Sequence, residues 1–468
     1  MWKHLSGILR TSWPILLILA VSLIIHFAYF GHPAETVFDE VHFGKFISGY
    51  FTHQYFFDIH PPLGKLLIST MGWLGGFKPG FSFAEIGQKF TDHTYLWLRL
   101  LPTLAGTILP LIIYFILLRI GVSRLAALTG GLLIALDNAL LVQARYILLD
   151  AFLLLFGFTA VLAYLKYWQA KTRPLLWLYL ASSLATLALS VKWTGATFLA
   201  SFWIVEIVRW WQREKYWDWH YLWPRKLALG LIPLVVYGSI FAIHLQLLKH
   251  SGPGDAFMTP SFQKTLTGNR YATDEAVKSS SFIKKIIELN FEMFQANATL
   301  TAGHPYSSKW YTWPFMARPI YYWNENLPGN QINHYPARIY FLGNPLVWWG
   351  STIAIFYLLL QFILRLWPNQ RTDGWRNWAS IILAVWLLNL LPFVSIKRAM
   401  FLYHYLVGMV LAVMALIWLI DQNPHKRKIL AGLVVAALVV FIYLAPLSYG
   451  LPLPEQGSNG RLWFPAWH

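Results

Sequence analysis

Long apolar runs separated by short polar breaks set the pattern of this chain. A helix needs about 20 mostly apolar residues to cross a bilayer. Eleven runs approach that length: 12–30, 94–118, 125–141, 147–165, 175–191, 194–208, 227–248, 344–364, 378–396, 400–420 and 429–447. The third and sixth are short, which suits little tilt or a partly re-entrant course. The first is as apolar as a signal peptide. It has no small-residue cleavage site before Ala34, however, and its length suits a retained anchor. Two other stretches, 31–93 and 249–343, are richer in Asp, His, Gly and Pro. The pattern predicts an all-α polytopic membrane protein with about eleven transmembrane helices and two large external loops. It divides into an N-terminal transmembrane module, 1–248, that includes loop 31–93; a loop with short helices, 249–343; and a C-terminal transmembrane module, 344–468.

Composition narrows the class. Hydrophobic residues make up 57% of the chain and charged ones 12%, against about 25% charged in a soluble domain. That excludes a disordered chain and disfavours an ordinary soluble enzyme. The 25 Trp, 24 Tyr and 32 Phe suit rings placed at two membrane interfaces. With no Cys, neither a disulfide nor a thiolate metal site can form.

The formal charge of +17 acquires a meaning from where it sits. With Lys3 and Arg10 in the cytoplasm, the cytoplasmic loops become Arg119–Arg124, Lys166–Arg173, Arg209–Lys226, Arg365–Arg376 and Lys426–Lys428. These segments carry most of the positive excess, as cytoplasmic loops do, and the opposite side is close to balanced. The charge is thus mainly a topology signal with a share for anionic lipid headgroups. Nucleic acid is not needed as a partner.

Candidate chemistry crowds at the external face. Asp39 and Glu40 stand side by side just past the first span, flanked by aromatics, where ionisable groups are expensive. Two readings of the pair stay open: Asp39 caps a helix whose dipole Glu40 favours, or the carboxylates do chemistry. A second cluster runs Phe57-Asp58-Ile59-His60-Pro61-Pro62-Leu63-Gly64-Lys65. Asp58 and His60 make only a weak metal pair without a third ligand, and an amphipathic helix is expected over 63–77. Arg99, Arg145, Lys192 and Lys397-Arg398 form an external cationic set. Each alone reads as a snorkelling side chain; together they violate the positive-inside trend where a lipid phosphate would lie. Asp150 is placed to pair with Arg145. The aromatic-rich stretch from Gly303 to Trp323 suits either interfacial anchoring or a carbohydrate or peptide platform. Asn297-Ala298-Thr299 is a glycosylation sequon of low specificity.

Six segments together resemble the protein O-mannosyltransferase family, in that family's order: FDEVHFGKFISGYFTHQYFFDIHPPLGKLLI (38–68), LRLLPTLAG (98–106), LDNALLVQARYILLDAFLLLF (136–156), LALSVKWTG (187–195), HPYSSKWYTWPFMARPIYYW (304–323) and RAMFLYHYL (398–406). The first and fifth are specific; the short ones mean little alone. The resemblance implies a GT-C-type membrane glycosyltransferase that moves mannose from a polyprenyl-phosphate-mannose donor to Ser or Thr hydroxyls of an acceptor protein, with inversion and without a cofactor or bound divalent metal. It implies Asp39 as general base, with Glu40 beside it shaping the pocket. Arg99, with Arg398, Lys192 and Arg145, would hold the donor phosphate. His60, His304, Tyr306, Ser307 and Trp310 are its substrate-site candidates. Loop 249–343 is too short for the β-trefoil (MIR) domain of eukaryotic members. That implies the compact bacterial type, in the plasma membrane with the site on the extracytoplasmic face. Two other readings stand beside this one. The first is a lipid-carrier glycosyltransferase using another sugar or a lipid acceptor. The second is a lipid-linked sugar transporter, which would need mid-span ionisable groups, where only Glu206 stands.

Overall fold

The computed structural model describes residues 2–211, 219–299, 303–325, 335–365 and 378–468. Parts of the expected cytoplasmic loops Arg209–Lys226 and Arg365–Arg376 lie outside them. The first module holds α1 (Trp2–Phe27), α2 (Glu40–Thr52), α3 (Leu63–Leu74), α4 (Tyr95–Arg119), α5 (Arg124–Ala135), α6 (Asn138–Arg145), α7 (Asp150–Gln169), α8 (Pro174–Val191), α9 (Ala196–Trp211), α10 (Trp219–Lys226) and α11 (Ile232–Leu247). The second external stretch carries α12 (Pro260–Gln263), α13 (Phe282–Thr299), β1 (Ile320–Asn324) and β2 (Arg338–Phe341). Then follow α14 (Pro345–Arg365), α15 (Trp378–Leu390), α16 (Leu406–Asp421), α17 (Lys426–Tyr449) and α18 (Glu455–Asn459).

Among the described residues, eight helices are long and apolar enough to cross a membrane, or nine if the bent pair α5–α6 is one span. Helices also occupy the first and sixth expected spans, but Ser12–Phe27 and α9 are each shorter than the others. The molecule is a helical multi-pass membrane protein, and among the described residues it adds to the all-α expectation a small antiparallel strand pair. α4 is the hub of the first module and packs on α1, α3, α5, α6 and α7. Gly106 permits that approach, because a Cβ there would clash with the Ala144 methyl of α6.

Within a bilayer every broken backbone hydrogen bond needs a local substitute. Pro233 has no N–H for the Leu229 carbonyl, and a π-helical turn covers Leu227–Leu231. Two neighbouring helices supply the missing donors. Trp203 Nε1 donates to the Leu229 carbonyl at 3.0 Å, and Ser182 Oγ donates to the Ala228 carbonyl at 2.5 Å. The α5–α6 bend of 55° is handled the same way. Asp137 caps α6 by accepting from the Leu140 amide, and its other oxygen accepts from the Asn344 amide at 3.0 Å and from Trp348 Nε1 at 2.8 Å. The broken span is thereby tied to α14 of the second module.

The stretches 31–93 and 249–343 interlock over one end of the bundle. The Tyr55 amide donates to the His250 carbonyl and the His250 amide donates to the His53 carbonyl, each at 2.9 Å. The Phe38 amide donates to the Tyr322 carbonyl at 3.1 Å. In the hairpin, Ile320 pairs with Phe341 and Tyr321 with Tyr340, and a bulge between Tyr321 and Trp323 leaves Tyr322 out of the register. A bulge re-aims the residue it frees. Here it sends Tyr322 inward, where its ring stacks on Phe38 at 4.1 Å.

Candidate active site

Asp39 sits where these pieces meet. Phe38 just before it holds φ at +47°, a left-handed conformation costly for a bulky side chain. The bond to Tyr322 and the stack on its ring hold that turn in place. Asp39 occupies the N-cap position of α2, but its side chain makes no capping hydrogen bond. Capping, one of the two open readings, does not use the carboxylate. Among the described residues it accepts no hydrogen bond at all, although Lys192, Asp150 and Asp58 lie close enough to act on its charge. Burial pushes its pKa up to about 7; Lys192 opposes the rise, and Asp150 and Asp58 add to it. A carboxyl so placed is near half-charged at neutral pH.

Glu40 is wholly occupied. One oxygen accepts from Arg99 Nε at 2.8 Å and from the Ile147 amide at 2.8 Å. The other accepts from Arg99 Nη2 at 2.7 Å and from the Val37 amide at 2.8 Å. It is 0% exposed. Glu40 therefore braces the turn at residue 37, helix α4 and the α6–α7 connection. All four of its hydrogen bonds go to the surrounding protein, where the expectation set it beside Asp39 in the catalytic pair.

Arg99 also departs from expectation. Its remaining donors go to the carbonyls of Gly31, Pro33 and Glu35 at 2.7–2.9 Å, and three aromatic rings surround its guanidinium. All five N–H groups are spent inside the protein, so none remains for a phosphate. Arg145 is engaged through its terminal nitrogens, while its Nε is buried without a hydrogen-bond partner among the described residues. Its donors close the C-terminal end of α1 through the carbonyls of His26, Ala28 and Tyr29 at 2.6–2.8 Å. Nor does it pair with Asp150, which instead binds Lys192 through both carboxylate oxygens at 2.7 and 2.8 Å. Both arginines stand near the external ends of apolar runs, as phosphate ligands would. Apart from Glu40 on Arg99, the hydrogen-bond partners are backbone carbonyls, which leave no mark in side-chain spacing.

Lys192 and Arg398 have a different setting. With His60, His404 and Lys397 they line a cavity of about 520 Å³ beside the C-terminal end of α8 and the segment that joins α15 to α16. Lys192 ends α8 in an extended conformation and lies 4.9 Å over the Tyr403 ring, with one N–H left after Asp150. Among the described residues Arg398 has no carboxylate within ion-pair distance. His60 is aimed by its own loop: Lys65 forms a close ion pair with Asp58 and donates to the carbonyls of His60 and Pro61. Burial, then Lys192 and Lys65, hold the His60 pKa well below its usual value, so the ring is neutral. Among the described residues no cluster of three His, Asp or Glu is disposed to hold a metal ion.

The aromatic stretch lies further out. Ser307 and Trp310 line a second cavity, separated from the first by residues 393–398. His304 is exposed and accepts from the Tyr306 amide at 3.2 Å; the Tyr306 ring lies 6.3 Å from Tyr321. The sequon Asn297 lies in α13 and lines the first cavity, its amide donating to the carbonyls of Ile59 and Met293. Reading the sequence missed the relay beside Asp39. Tyr322 donates to Gln143 Oε1 at 2.6 Å, and Gln143 Nε2 donates to Asp150 at 2.6 Å. Gln143 did carry a signal, an amide in an apolar run. The bulge that aims Tyr322 did not.

A family model described as dolichyl-phosphate-mannose-protein mannosyltransferase matches residues 16–249, and one described as the C-terminal four-transmembrane region of protein O-mannosyltransferase matches 282–467. Among curated proteins, dolichyl-phosphate-mannose–protein mannosyltransferase 4 of Saccharomyces cerevisiae is 31% identical over 281 residues, 57% of this chain and 37% of that protein. Protein O-mannosyl-transferase 1 of Rattus norvegicus is 35% identical over 251 residues, 51% of this chain and 34% of that protein. The matched region thus spans about a third of those relatives. Among solved structures, the S. cerevisiae Pmt1-Pmt2 complex bound to the sugar donor superposes with a TM-score of 0.88 at 20% identity, covering 98% of this chain and 93% of that one. ArnT from Cupriavidus metallidurans bound to undecaprenyl phosphate gives 0.54 at 12% identity, covering 96% and 78%. The fold is of the GT-C type, and the chain belongs to the protein O-mannosyltransferase family.

Proposed function

We propose that this chain transfers mannose from a polyprenyl-phosphate-mannose donor to Ser or Thr hydroxyls of an acceptor protein, with inversion at the sugar. The observation that carries the reading is Asp39, a carboxylate with no hydrogen-bond partner among the described residues and a pKa of about 7, close enough to feel the charge of Lys192, which lines a cavity together with Arg398. The acceptor hydroxyl gives its proton to Asp39 as its oxygen bonds to C1 of the sugar. The C1–O bond to phosphate breaks in the same step, and the polyprenyl phosphate departs carrying the extra negative charge. That leaving group needs no general acid. It needs fixed positive charge, which Lys192 and Arg398 supply in a partly dehydrated site. Asp150 holds Lys192 in place, and His60 lines the sugar side as a neutral hydrogen-bonding ring. Glu40 and Arg99 serve by holding the backbone on either side of Asp39.

The positive-inside pattern supports a cytoplasmic N-terminus and an extracytoplasmic site. The short 249–343 stretch supports a bacterial plasma-membrane enzyme using a bacterial polyprenol. The test is to incubate purified protein with polyprenyl-phosphate mannose and a Ser/Thr-rich peptide and to weigh the peptide. Gain of one hexose is expected. An unchanged peptide with intact donor counts against the reading and favours another sugar or a lipid acceptor.

A further inference from the structure

The second cavity has chemistry of its own. It encloses about 720 Å³ and is lined by Lys309, Arg318, Lys397 and Arg398, while none of the described residues lining it is Asp or Glu. Among the described residues, none of these four cations lies within ion-pair distance of a carboxylate. Arg318 Nε is buried without a hydrogen-bond partner. Uncompensated cations gathered round one open space call for an anion.

Its place in the fold says which kind. Phe393 and Val394, at the end of the span Trp378–Ser395, form part of the lining, and Val394 is 58% exposed. Exposed Tyr311, Phe315, Trp463 and Phe464 stand in the neighbouring segments, an aromatic fringe typical of the headgroup level. The wall is also firmly built: the Ser308 amide donates to the Met400 carbonyl at 2.8 Å, and Trp313 Nε1 donates to Ser308 Oγ at 3.0 Å. An anion held at that depth, beside lipid-facing apolar groups, belongs to a lipid.

We propose that this cavity is a second phosphate site, taking the phosphate-bearing headgroup of a membrane lipid on Lys309 and Arg318, with Lys397 and Arg398 shared with the first cavity. Two lipids present that chemistry: an anionic phospholipid, or the polyprenyl phosphate released by transfer, which alone rests on the function proposed above.

Native mass spectrometry of the full chain in detergent, with farnesyl phosphate as the probe, tests the site. The intact protein should carry two probe molecules. Lys309→Gln/Arg318→Gln should carry one, with affinity for the second weakened at least tenfold, whereas Lys192→Gln should retain the second site. Lys309→Glu, a change at an exposed side chain, gives the same readout if the double variant does not fold. Displacement of the second probe molecule by phosphatidylglycerol assigns the site to bulk lipid; retention assigns it to the carrier. Equal counts and affinities in the intact protein and the variants overturn the proposal. So does a variant that loses acceptor-peptide binding and keeps both probe molecules, since the groove would then be a polypeptide site. Failure of mannose transfer with the two-site count intact would count against the proposed reaction alone.

Discussion

At the scale of single residues, two adjacent acids have been given opposite fates by their surroundings. Glu40 faces four donors and is fixed in a buried ion pair, while Asp39 faces none among the described residues and keeps its basicity. Removing Arg99 leaves a buried carboxylate uncompensated, which costs about 3–5 kcal/mol. Arg99→Ala should therefore unfold or strongly lower the melting temperature of the protein. Arg99→Lys should not restore it, because three donors cannot replace five. A well-folded Arg99→Ala enzyme with only donor kinetics impaired would contradict this. Asp39 has the reverse effect on stability. Its pKa, raised to about 7, means the folded state holds a proton that the unfolded chain has released, so stability falls as pH rises from the ordinary carboxylate range through about 7. Asp39→Asn should then melt higher than the parent, by more at about pH 8 than at about pH 5. Lys192→Gln and Arg398→Gln should raise the KM for donor more than that for acceptor peptide, and steady-state kinetics with each substrate varied would show it.

At the scale of elements, breaks in helices do the positioning. The α5–α6 break lets α6 carry Gln143 toward Asp150 and leads into the Ile147 amide that Glu40 binds. Asp137→Ala would leave the donors of Leu140, Asn344 and Trp348 without their acceptor, at about 1–3 kcal/mol. Lower thermal stability is expected, together with reduced activity per folded molecule. An unaffected melting curve would show that water or another group replaces the carboxylate. The spans were legible in the sequence because apolar run length is a local quantity. The break was only partly legible, as a short run that suits little tilt or a partly re-entrant course. The bulge at Tyr322 was not legible, since it depends on a partner strand and on Phe38, far away in the chain.

At the scale of the molecule, the proposed site depends on the stretches 31–93 and 249–343 closing over the same end of the bundle. The carboxylate comes from the first, Tyr322 from the second, Lys192 from the C-terminal end of α8 and Arg398 from the segment between α15 and α16. The sequence exposed the charged candidates but could not sort them. Arg99, Arg145, Lys192 and Arg398 look alike as cations near span ends, and only three-dimensional contacts separate those consumed by carbonyls from those facing a cavity. The central claim is that Asp39 takes the acceptor proton. The most direct measurement is the rate of hexose transfer to a Ser/Thr peptide at saturating donor, across pH, for the parent and Asp39→Asn. The parent should show a rising limb with its midpoint near 7, and the variant should be slower by at least about a hundredfold with that limb gone. A variant that transfers within a few-fold of the parent, on the same pH profile, would contradict the assignment of Asp39 as the base.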